Sequence, residues 1–267
     1  MEEKLVSIII ACHNAQTYID LCLQSLVQQT YHNLEIIICD DASKDKSWEI
    51  LKKWKKKDPR VIILRNDENL YAAATRNRCI QVSHGDYVMI QDIDDFSSID
   101  RVEKQVKELE NDDIDFISSP AYSFSENPNE IMDTIIKKKR SPKKKDFLWN
   151  LPFFHPSTMF KRDCILSVGG YRVSPETIRG QDYDMFMRMY ALGFKGINGT
   201  QPLYYFRLDD ANLKRRTWNA RKMEMKIRKK GFKALGLMPW AAIFIIKPIF
   251  AHFYQKIKYR GLKNEKK

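Results

Sequence analysis

The chain has 267 residues, enough for one large α/β domain or one and a half domains with a substantial buried core. Its 43% hydrophobic and 12% aromatic content excludes a disordered chain, and a formal net charge of +12 indicates an anionic partner such as nucleic acid, acidic lipid or a phosphorylated ligand. The five cysteines are odd in number and lack CxxC spacing, which excludes a disulfide framework and indicates a reducing compartment.

Residues 5–118 alternate short runs rich in Ile and Val with amphipathic segments. Such alternation predicts βαβ units and a mostly parallel sheet. We predict strands at 6–11, 34–39, 61–64, 87–90 and 114–118, and helices at 15–29, 47–57, 72–83 and 99–110. The expected fold is therefore α/β, with a central sheet flanked by helices.

Polar clusters follow three of the predicted strands. They are Cys12-His13-Asn14, Asp40-Asp41-Ala42-Ser43 and Asp92-Ile93-Asp94-Asp95. Because ligands bind beyond the carboxyl ends of the strands in open α/β sheets, three clusters at such ends predict a single site.

The third cluster has the composition of a metal site. Strand alternation places Asp92 and Asp94 on the same side, and like charges held together cost free energy unless a cation compensates them. Mg²⁺ or Mn²⁺, which prefer oxygen ligands and often hold a phosphate, would compensate. Taken alone, the same stretch could be a solvated acidic turn, with Asp95 only starting that turn.

The middle of the chain breaks this alternation. The segment 136–146 carries a like-charge run around Pro142, so we expect an extended, mobile loop. It could be a solvated loop or a lip that meets an anionic substrate or a membrane surface. Beyond it we predict a strand at 156–160, a helix at 181–192 that ends at Gly193, and a strand at 202–207.

The last part of the chain changes character after residue 208. A basic stretch at 214–233 precedes an apolar, aromatic stretch at 237–254, and 256–267 is basic again. This arrangement resembles an interfacial membrane anchor, whereas Lys247 and Pro248 make a full span costly. The alternative is a helix packed on the preceding α/β domain. We expect neither a spanning helix nor a secretory signal.

The ordered set of motifs resembles the family-2 glycosyltransferases with a GT-A (Rossmann-like) fold, of the type that assembles bacterial surface polysaccharide and lipopolysaccharide. The resemblance covers roughly residues 5–208. It rests on VSIIIACHN at 6–14, LCLQSLVQQT at 21–30, LEIIICDDAS at 34–43, Arg76-Asn77, Gly85-Asp86-Tyr87, the DxD-like Asp92-Ile93-Asp94, FHPSTMF at 154–160, Val168-Gly169-Gly170-Tyr171 and Gln181-Asp182-Tyr183-Asp184.

The resemblance implies a role for each matching residue. Asp182 would be the general base, and Asp94, possibly with Asp92, would hold Mn²⁺ or Mg²⁺ on the diphosphate. Asp41 would accept the uracil N3–H. His155 and Gln181 are candidates for contacts with acceptor or phosphate. The implied nucleotide-sugar site comprises Ala11, His13, Asn14, Asp40, Asp41, Arg76, Asp92 and Ile93.

Three features depart from the family pattern. Gln181 stands where a glutamate usually precedes the base, and Asp209-Asp210 stand where a histidine often follows the strand that contains Arg207. The processive-synthase signature Gln-x-x-Arg-Trp is absent, and Arg215-Arg216-Thr217-Trp218 only echoes it. Addition of one sugar for each binding event is therefore favoured over polymerisation.

These inferences combine into one hypothesis. Residues 1–208 would form the catalytic domain, and 209–267 a basic, amphipathic helical extension that associates with an anionic membrane surface on the cytoplasmic side. The enzyme would invert configuration and move one sugar from a UDP-sugar to a lipid-linked or oligosaccharide acceptor, with no nucleic-acid partner. The alternatives are a polyprenyl-phosphate glycosyltransferase and, in a different class, a non-catalytic basic module that binds membrane or nucleic acid.

Overall fold

The computed structural model describes residues 3–111, 113–125, 127–128, 130–136, 138–208 and 217–250, without the side chains of 133–136. The predictions made for Asp209-Asp210, for Arg215-Arg216 and for the end of the chain after residue 250 lie outside these ranges.

Eleven strands and eight helices are assigned within the described ranges. The strands are β1 (Val6–Cys12), β2 (Leu34–Asp40), β3 (Val61–Arg65), β4 (Tyr87–Ile90), β5 (Phe96–Ser97), β6 (Phe116–Ser118), β7 (Ala121–Phe124), β8 (Ile131–Ile136), β9 (Met159–Lys161), β10 (Gly196–Asn198) and β11 (Tyr204–Arg207). The helices are α1 (Ile19–Val27), α2 (Ser47–Lys57), α3 (Tyr71–Val82), α4 (Arg101–Asn111), α5 (Arg162–Ser167), α6 (Gln181–Ala191), α7 (Trp218–Ala234) and α8 (Ala242–Ile245).

A seven-stranded sheet with the order β10-β6-β9-β4-β1-β2-β3 forms the centre of the fold. Strands β1 to β4 run parallel, and Val6 of β1 lies opposite Leu34 on one side and Tyr87 on the other. Strand β9 is antiparallel to both of its neighbours. The prediction of a mostly parallel sheet flanked by helices is confirmed, and β1, β2 and β4 end at the same edge.

The Ile-rich central strands are buried on both faces. Ile8 and Ile10 of β1 pack into one cluster with α1, whereas Ile9 packs into a second cluster with α3 and α6. All five cysteines are buried and free, as expected for small core residues.

A second sheet, β5-β11-β7-β8, was not predicted. It pairs β11 with β5 at Tyr204–Ser97, and with β7 at Tyr204–Ala121. These pairings join segments that are about a hundred residues apart, so short-range periodicity gave no signal for them.

The basic segment after β8 is anchored, which corrects the expectation of a mobile loop. The Lys139 ammonium lies 2.8 Å from Asp146, and the Arg140 guanidinium lies 3.1 Å from Glu108 of α4. The backbone N–H of Asn198 donates to the Arg140 carbonyl at 2.8 Å. The sequence run gave no sign of these acidic and polar partners, which come from α4, β10 and the turn at Asp146.

Helix α7 packs against α6. A Cβ at Gly231 would come within 2.2 Å of the Met187 sulfur, so any larger residue would force the Met187 side chain to shift. Phe232 and Leu235 are buried in the same core. Trp240 nevertheless stays 89% exposed. Within the described ranges, no helix is both long enough and apolar enough to cross a membrane.

Candidate active site

A cleft of about 480 Å³ opens at the carboxyl edge of β1, β2 and β4, and we call it the strand-end cleft. It brings together residues that the sequence analysis took from separate motifs. Its lining residues are Ala11, Cys12, His13, Asn14, Ala15, Tyr18, Asp41, Ala72, Arg76, Asp92, Ile93, Asp94 and Arg207.

Asp41 and His13 form one wall of this cleft. One oxygen of the buried Asp41 carboxylate accepts hydrogen bonds from the Asn66 amide at 2.6 Å and from the Leu70 N–H at 2.8 Å. The Nδ1 of His13 lies 2.7 Å from the Asp41 carbonyl. Because a carbonyl only accepts, Nδ1 carries the proton and Nε2 is an acceptor, which suits the Asn69 amide at 3.3 Å.

Backbone strain is concentrated around this wall. In the described ranges, the non-glycine residues with positive φ are Asn14 (49°), Ala42 (55°) and Tyr71 (63°), and all three adjoin cleft residues. Such conformations cost on the order of 1–3 kcal/mol each and persist where the surroundings enforce them. The Asn14 N–H donates to the Ser43 hydroxyl at 2.9 Å, so side chains hold at least one of these turns.

The opposite wall is the acidic cluster. Carboxylate oxygens of Asp92, Asp94 and Asp95 lie within 4.8 Å of one another. Asp92 also accepts a hydrogen bond from the Arg76 Nη2 at 2.6 Å. Three oxygen ligands at this spacing fit a hard divalent ion.

Asp95 has a larger part in this cluster than the sequence suggested. It is buried, and its two oxygens accept from the Tyr204 hydroxyl at 2.8 Å and from the Arg207 N–H at 2.7 Å. Burial, followed by the charges of Asp94 and Asp92, raises the pKa of Asp95. A nearby cation would therefore stabilise the ionised form of this carboxylate.

Arg101 supports the acidic loop from below. It is fully buried and donates to the Gln91 Oε1 at 2.9 Å and to the Ile90 carbonyl at 2.9 Å. Gln91 in turn donates to the Asp92 carbonyl at 3.0 Å. Burial lowers the pKa of Arg101 to about 10, so the guanidinium stays charged at neutral pH beneath the aspartates.

Asp40, which was expected at the nucleotide site beside Asp41, does not line the cleft. Its side chain is fully buried beneath the cleft, with the Arg65 Nε 3.1 Å from one oxygen. This ion pair lacks hydrogen-bond geometry, and neither Asp40 oxygen has a hydrogen-bond partner.

His155 also lies outside the cleft, within a buried group that includes Tyr171 and Arg76. Its Nε2 is 2.7 Å from the Tyr171 hydroxyl, and the Arg76 guanidinium lies 5.7 Å from the Tyr171 ring. Burial lowers the pKa of His155 to about 4, so the ring is neutral at physiological pH. The Nε and Nη1 of Arg76 are buried without a hydrogen-bond partner.

Asp182 stands at the start of α6, and its Oδ1 accepts from the Tyr183 N–H at 2.8 Å. It does not line the strand-end cleft. Burial by itself would lower the pKa of Arg76, but the charge of its partner Asp92 raises it, and Asp182 adds a smaller contribution in the same direction. Gln181 beside it has a buried Oε1 without a hydrogen-bond partner.

Arg207 and Tyr18 are among the cleft residues that sequence reasoning missed. The Arg207 Nε donates to the Asp94 carbonyl at 3.0 Å, and its guanidinium lies 4.7 Å from the Tyr18 ring. Arg207 was predicted within a strand, but its position beside Asp94 depends on the unpredicted second sheet. Tyr18 was taken only as part of a helical face.

Residues 7–167 match the model of glycosyl transferase family 2. The chain belongs to this family. It is 33% identical over 205 residues to an uncharacterized glycosyltransferase of Methanocaldococcus jannaschii, covering 73% of this chain and 68% of that one. It is 29% identical to the glycosyltransferase EpsE of Bacillus subtilis over 93% of this chain and 89% of that one.

A third relative carries a more detailed name. Over 45% of this chain and 47% of that one, the sequence is 38% identical to WfaP of Escherichia coli, a UDP-Glc:α-D-GlcNAc-diphosphoundecaprenol β-1,3-glucosyltransferase.

Solved structures agree on the fold. TarS residues 1–349 of S. aureus, in complex with UDP, superpose with a TM-score of 0.71 at 15% identity, covering 93% of this chain and 72% of that one. The mannosyltransferase PcManGT of Pyrobaculum calidifontis, with GDP-Man and Mn²⁺, gives 0.65 at 18% identity, covering 92% and 74%. This protein is therefore a nucleotide-sugar-dependent glycosyltransferase with a GT-A fold, and the non-catalytic alternative is wrong.

Proposed function

We propose that this enzyme moves one sugar from a UDP-sugar to a hydroxyl of a lipid-linked oligosaccharide, with inversion, during assembly of a cell-surface polysaccharide. The observation that carries the proposal is the convergence of Asp41 and the acidic cluster in one cleft of about 480 Å³. The names of WfaP and of the UDP complex of TarS support a UDP-sugar donor and a lipid-linked acceptor.

Asp41 is suited to recognise the base. Its Oδ1 is already occupied by two donors, so the other oxygen is left to accept a ligand N–H such as the uracil N3–H. The His13 ring, held by the Asp41 carbonyl, lines the same end of the cleft. A buried carboxylate that accepts a hydrogen bond from this N–H would bind a base with an acceptor atom at the same position much more weakly.

The acidic cluster fits a divalent ion, because three carboxylates converge within 4.8 Å. Asp94 and Asp92 would hold Mn²⁺ or Mg²⁺, with Asp95 fixed behind them by Tyr204. When bound, the ion supplies Lewis-acid stabilisation of the charge that develops on the leaving diphosphate. Arg76 and Arg207 add positive charge to the same walls of the cleft.

Asp182 would serve as the general base. A single displacement at the sugar carbon needs one carboxylate to take the proton of the attacking hydroxyl, and such a step inverts the configuration.

The C-terminal segment would place the enzyme on the cytoplasmic face of the membrane. Trp240, Ile243 and Phe250 are exposed by 66–89%, and basic residues of α7 and Lys247 lie nearby in the chain. Aromatic side chains beside basic ones suit an anionic lipid surface. A Trp240→Ser/Ile243→Ser variant should lose co-sedimentation with phosphatidylglycerol vesicles, and unchanged co-sedimentation would reject this docking.

A thermal-shift screen tests the donor and metal assignments together. A ligand that binds only the folded state raises the melting temperature, so UDP-sugars should raise it more with Mn²⁺ than without. Asp94→Ala should abolish the Mn²⁺-dependent increment and sugar transfer, while Asp67→Ala, an exposed acidic residue outside the cleft, should keep both. A shift with GDP-sugars alone would overturn the UDP assignment, and an intact increment in Asp94→Ala would overturn the metal site.

A further inference from the structure

A second cavity, of about 260 Å³, lies between the start of α6 and the first turns of α7, and we call it the α6–α7 cavity. It contains Asp182, the residue assigned as general base. Its lining residues are Asn150, Leu151, Arg179, Gly180, Asp182, Tyr183, Ala220, Arg221, Glu224 and Arg228.

We propose that the α6–α7 cavity is the acceptor subsite, which receives the terminal sugar of a lipid diphosphate-linked acceptor and presents its hydroxyl to Asp182. This inference rests on the proposed function and adds the place, the lining and the chemistry of acceptor binding. It gives α7, outside the residues matched to the family, a role in choosing the acceptor.

The cavity has the size and polar groups for one sugar ring. Its volume of about 260 Å³ is just below the range of about 300–1,000 Å³ that is usual for ligand pockets, which suits a single ring rather than a chain. The Glu224 carboxylate is fixed by Arg221 at 3.1 Å and by Arg228 at 3.0 Å. A carboxylate fixed in this way keeps further acceptor sites for sugar hydroxyls. Asn150 adds an amide beside it.

Charge at the cavity favours an anionic linker. Arg179, Arg221 and Arg228 line it together with Asp182 and Glu224, so the lining has a net positive charge even though Glu224 pairs with Arg221 and Arg228. Guanidinium groups recognise phosphate oxygens through paired hydrogen bonds.

The lipid would leave past Asn150. The neighbouring Trp149 is 62% exposed, and its ring packs 5.1 Å from Phe244 of α8. The Lys247 ammonium donates to the Asn150 Oδ1 at 3.1 Å. Lys247 therefore ties the segment that carries the exposed Trp240 to Asn150 at the edge of the cavity.

The walls of the cavity are fixed to each other. Glu176, in the turn that leads to α6, lies 2.6 Å from the Lys230 ammonium of α7 and 3.2 Å from Arg172. Gly180 adopts φ +89°, and a Cβ there would sit 3.2 Å from Ile227. This arrangement keeps Asp182 and α7 in one relative position, as an acceptor subsite requires.

The test fills the cavity. Ala220→Trp should raise the KM for α-D-GlcNAc-diphosphoundecaprenol, the probe acceptor, by at least about tenfold, while the Kd for UDP with Mn²⁺ stays within twofold (tenfold corresponds to about 1.4 kcal/mol). Asn219→Trp, which is exposed and lies outside the cavity, is the matched control and should behave as the wild type. Arg179→Ala should also raise this KM, and Arg179→Lys should recover part of the loss.

A second measurement does not depend on folding of a variant. A photoreactive GlcNAc-diphospholipid should cross-link to peptides containing residues 149–151 or 220–224 of the wild-type enzyme. Cross-links confined to other surfaces, or an unchanged KM in Ala220→Trp, would overturn the subsite. Wild-type enzyme that binds UDP with Mn²⁺ but neither binds nor glycosylates this lipid would overturn the acceptor chemistry alone, whereas failure to bind UDP would reject the proposed function.

Discussion

The strand-end cleft and the α6–α7 cavity are built in different ways. The cleft is lined mainly by residues that directly follow strands, and fixed backbone groups and the buried Arg101 support its aspartates. The cavity is lined by side chains from two helices and a loop, and ion pairs such as Arg228–Glu224 hold them. A strand-end site can therefore be defined by short motifs, whereas a site between helices depends on how distant elements pack.

The largest expected effect is a loss of turnover rate without a loss of nucleotide affinity. Asp182→Asn should lower kcat for transfer by roughly 10²–10⁴-fold, because the amide cannot take the proton of the acceptor hydroxyl. Nucleotide affinity should hardly change, because Asp182 is outside the strand-end cleft. Steady-state kinetics together with UDP calorimetry measure both, and Asp163→Asn on the short helix α5 is a surface control. Unimpaired transfer in Asp182→Asn would favour a polyprenyl-phosphate acceptor, which is already ionised.

The next prediction concerns the support of the cleft. Arg101→Leu should destabilise the fold by about 3–5 kcal/mol, because it removes the buried guanidinium that donates to Gln91 and to the Ile90 carbonyl. Lys104→Leu on the same helix removes only an exposed ion pair with Asp100 and should cost less than about 1 kcal/mol. Denaturant unfolding compares the two variants. Equal losses would show that the buried guanidinium does not stabilise this edge.

The sequence predicted the position of some of these side chains but not the distant partners that hold the others. Asp92 and Asp94 are adjacent to a strand of four apolar residues, so alternation and strand-end geometry were enough to place them. The burial of Asp95 depends on Tyr204, which is 109 positions away and belongs to the unpredicted second sheet. Arg140 was read as part of a loose basic loop because nothing local pointed to its partner Glu108.

The buried ring of His155 makes the folding stability depend on pH. Burial lowers the pKa of His155 from its ordinary value of 6.5 to about 4. Between these two pH values the histidine is protonated in the unfolded chain and neutral in the folded chain. Folding stability should therefore fall as the pH drops from about 6.5 towards 4. This histidine contributes about 2 kcal/mol of the loss between pH 7 and pH 5.

Denaturant titrations at the two pH values measure this loss. His155→Gln should lack the contribution, whereas His32→Gln, an exposed histidine, should keep it. An identical pH dependence in His155→Gln and the wild type would contradict the assignment of a neutral, buried ring.

The smallest effect tests the contact between α6 and α7. Gly231→Ala gains about 1 kcal/mol of helix propensity, but its Cβ would meet the Met187 sulfur at 2.2 Å, and such overpacking costs about 1–3 kcal/mol. The net destabilisation should be about 1 kcal/mol, with a raised acceptor KM and an unchanged Kd for UDP, because α7 lines the α6–α7 cavity and not the strand-end cleft. Gly236→Ala adds no contact but is strained at φ +71°, so it controls for stability loss alone. If both variants changed acceptor KM equally, general destabilisation rather than the position of α7 would control acceptor binding.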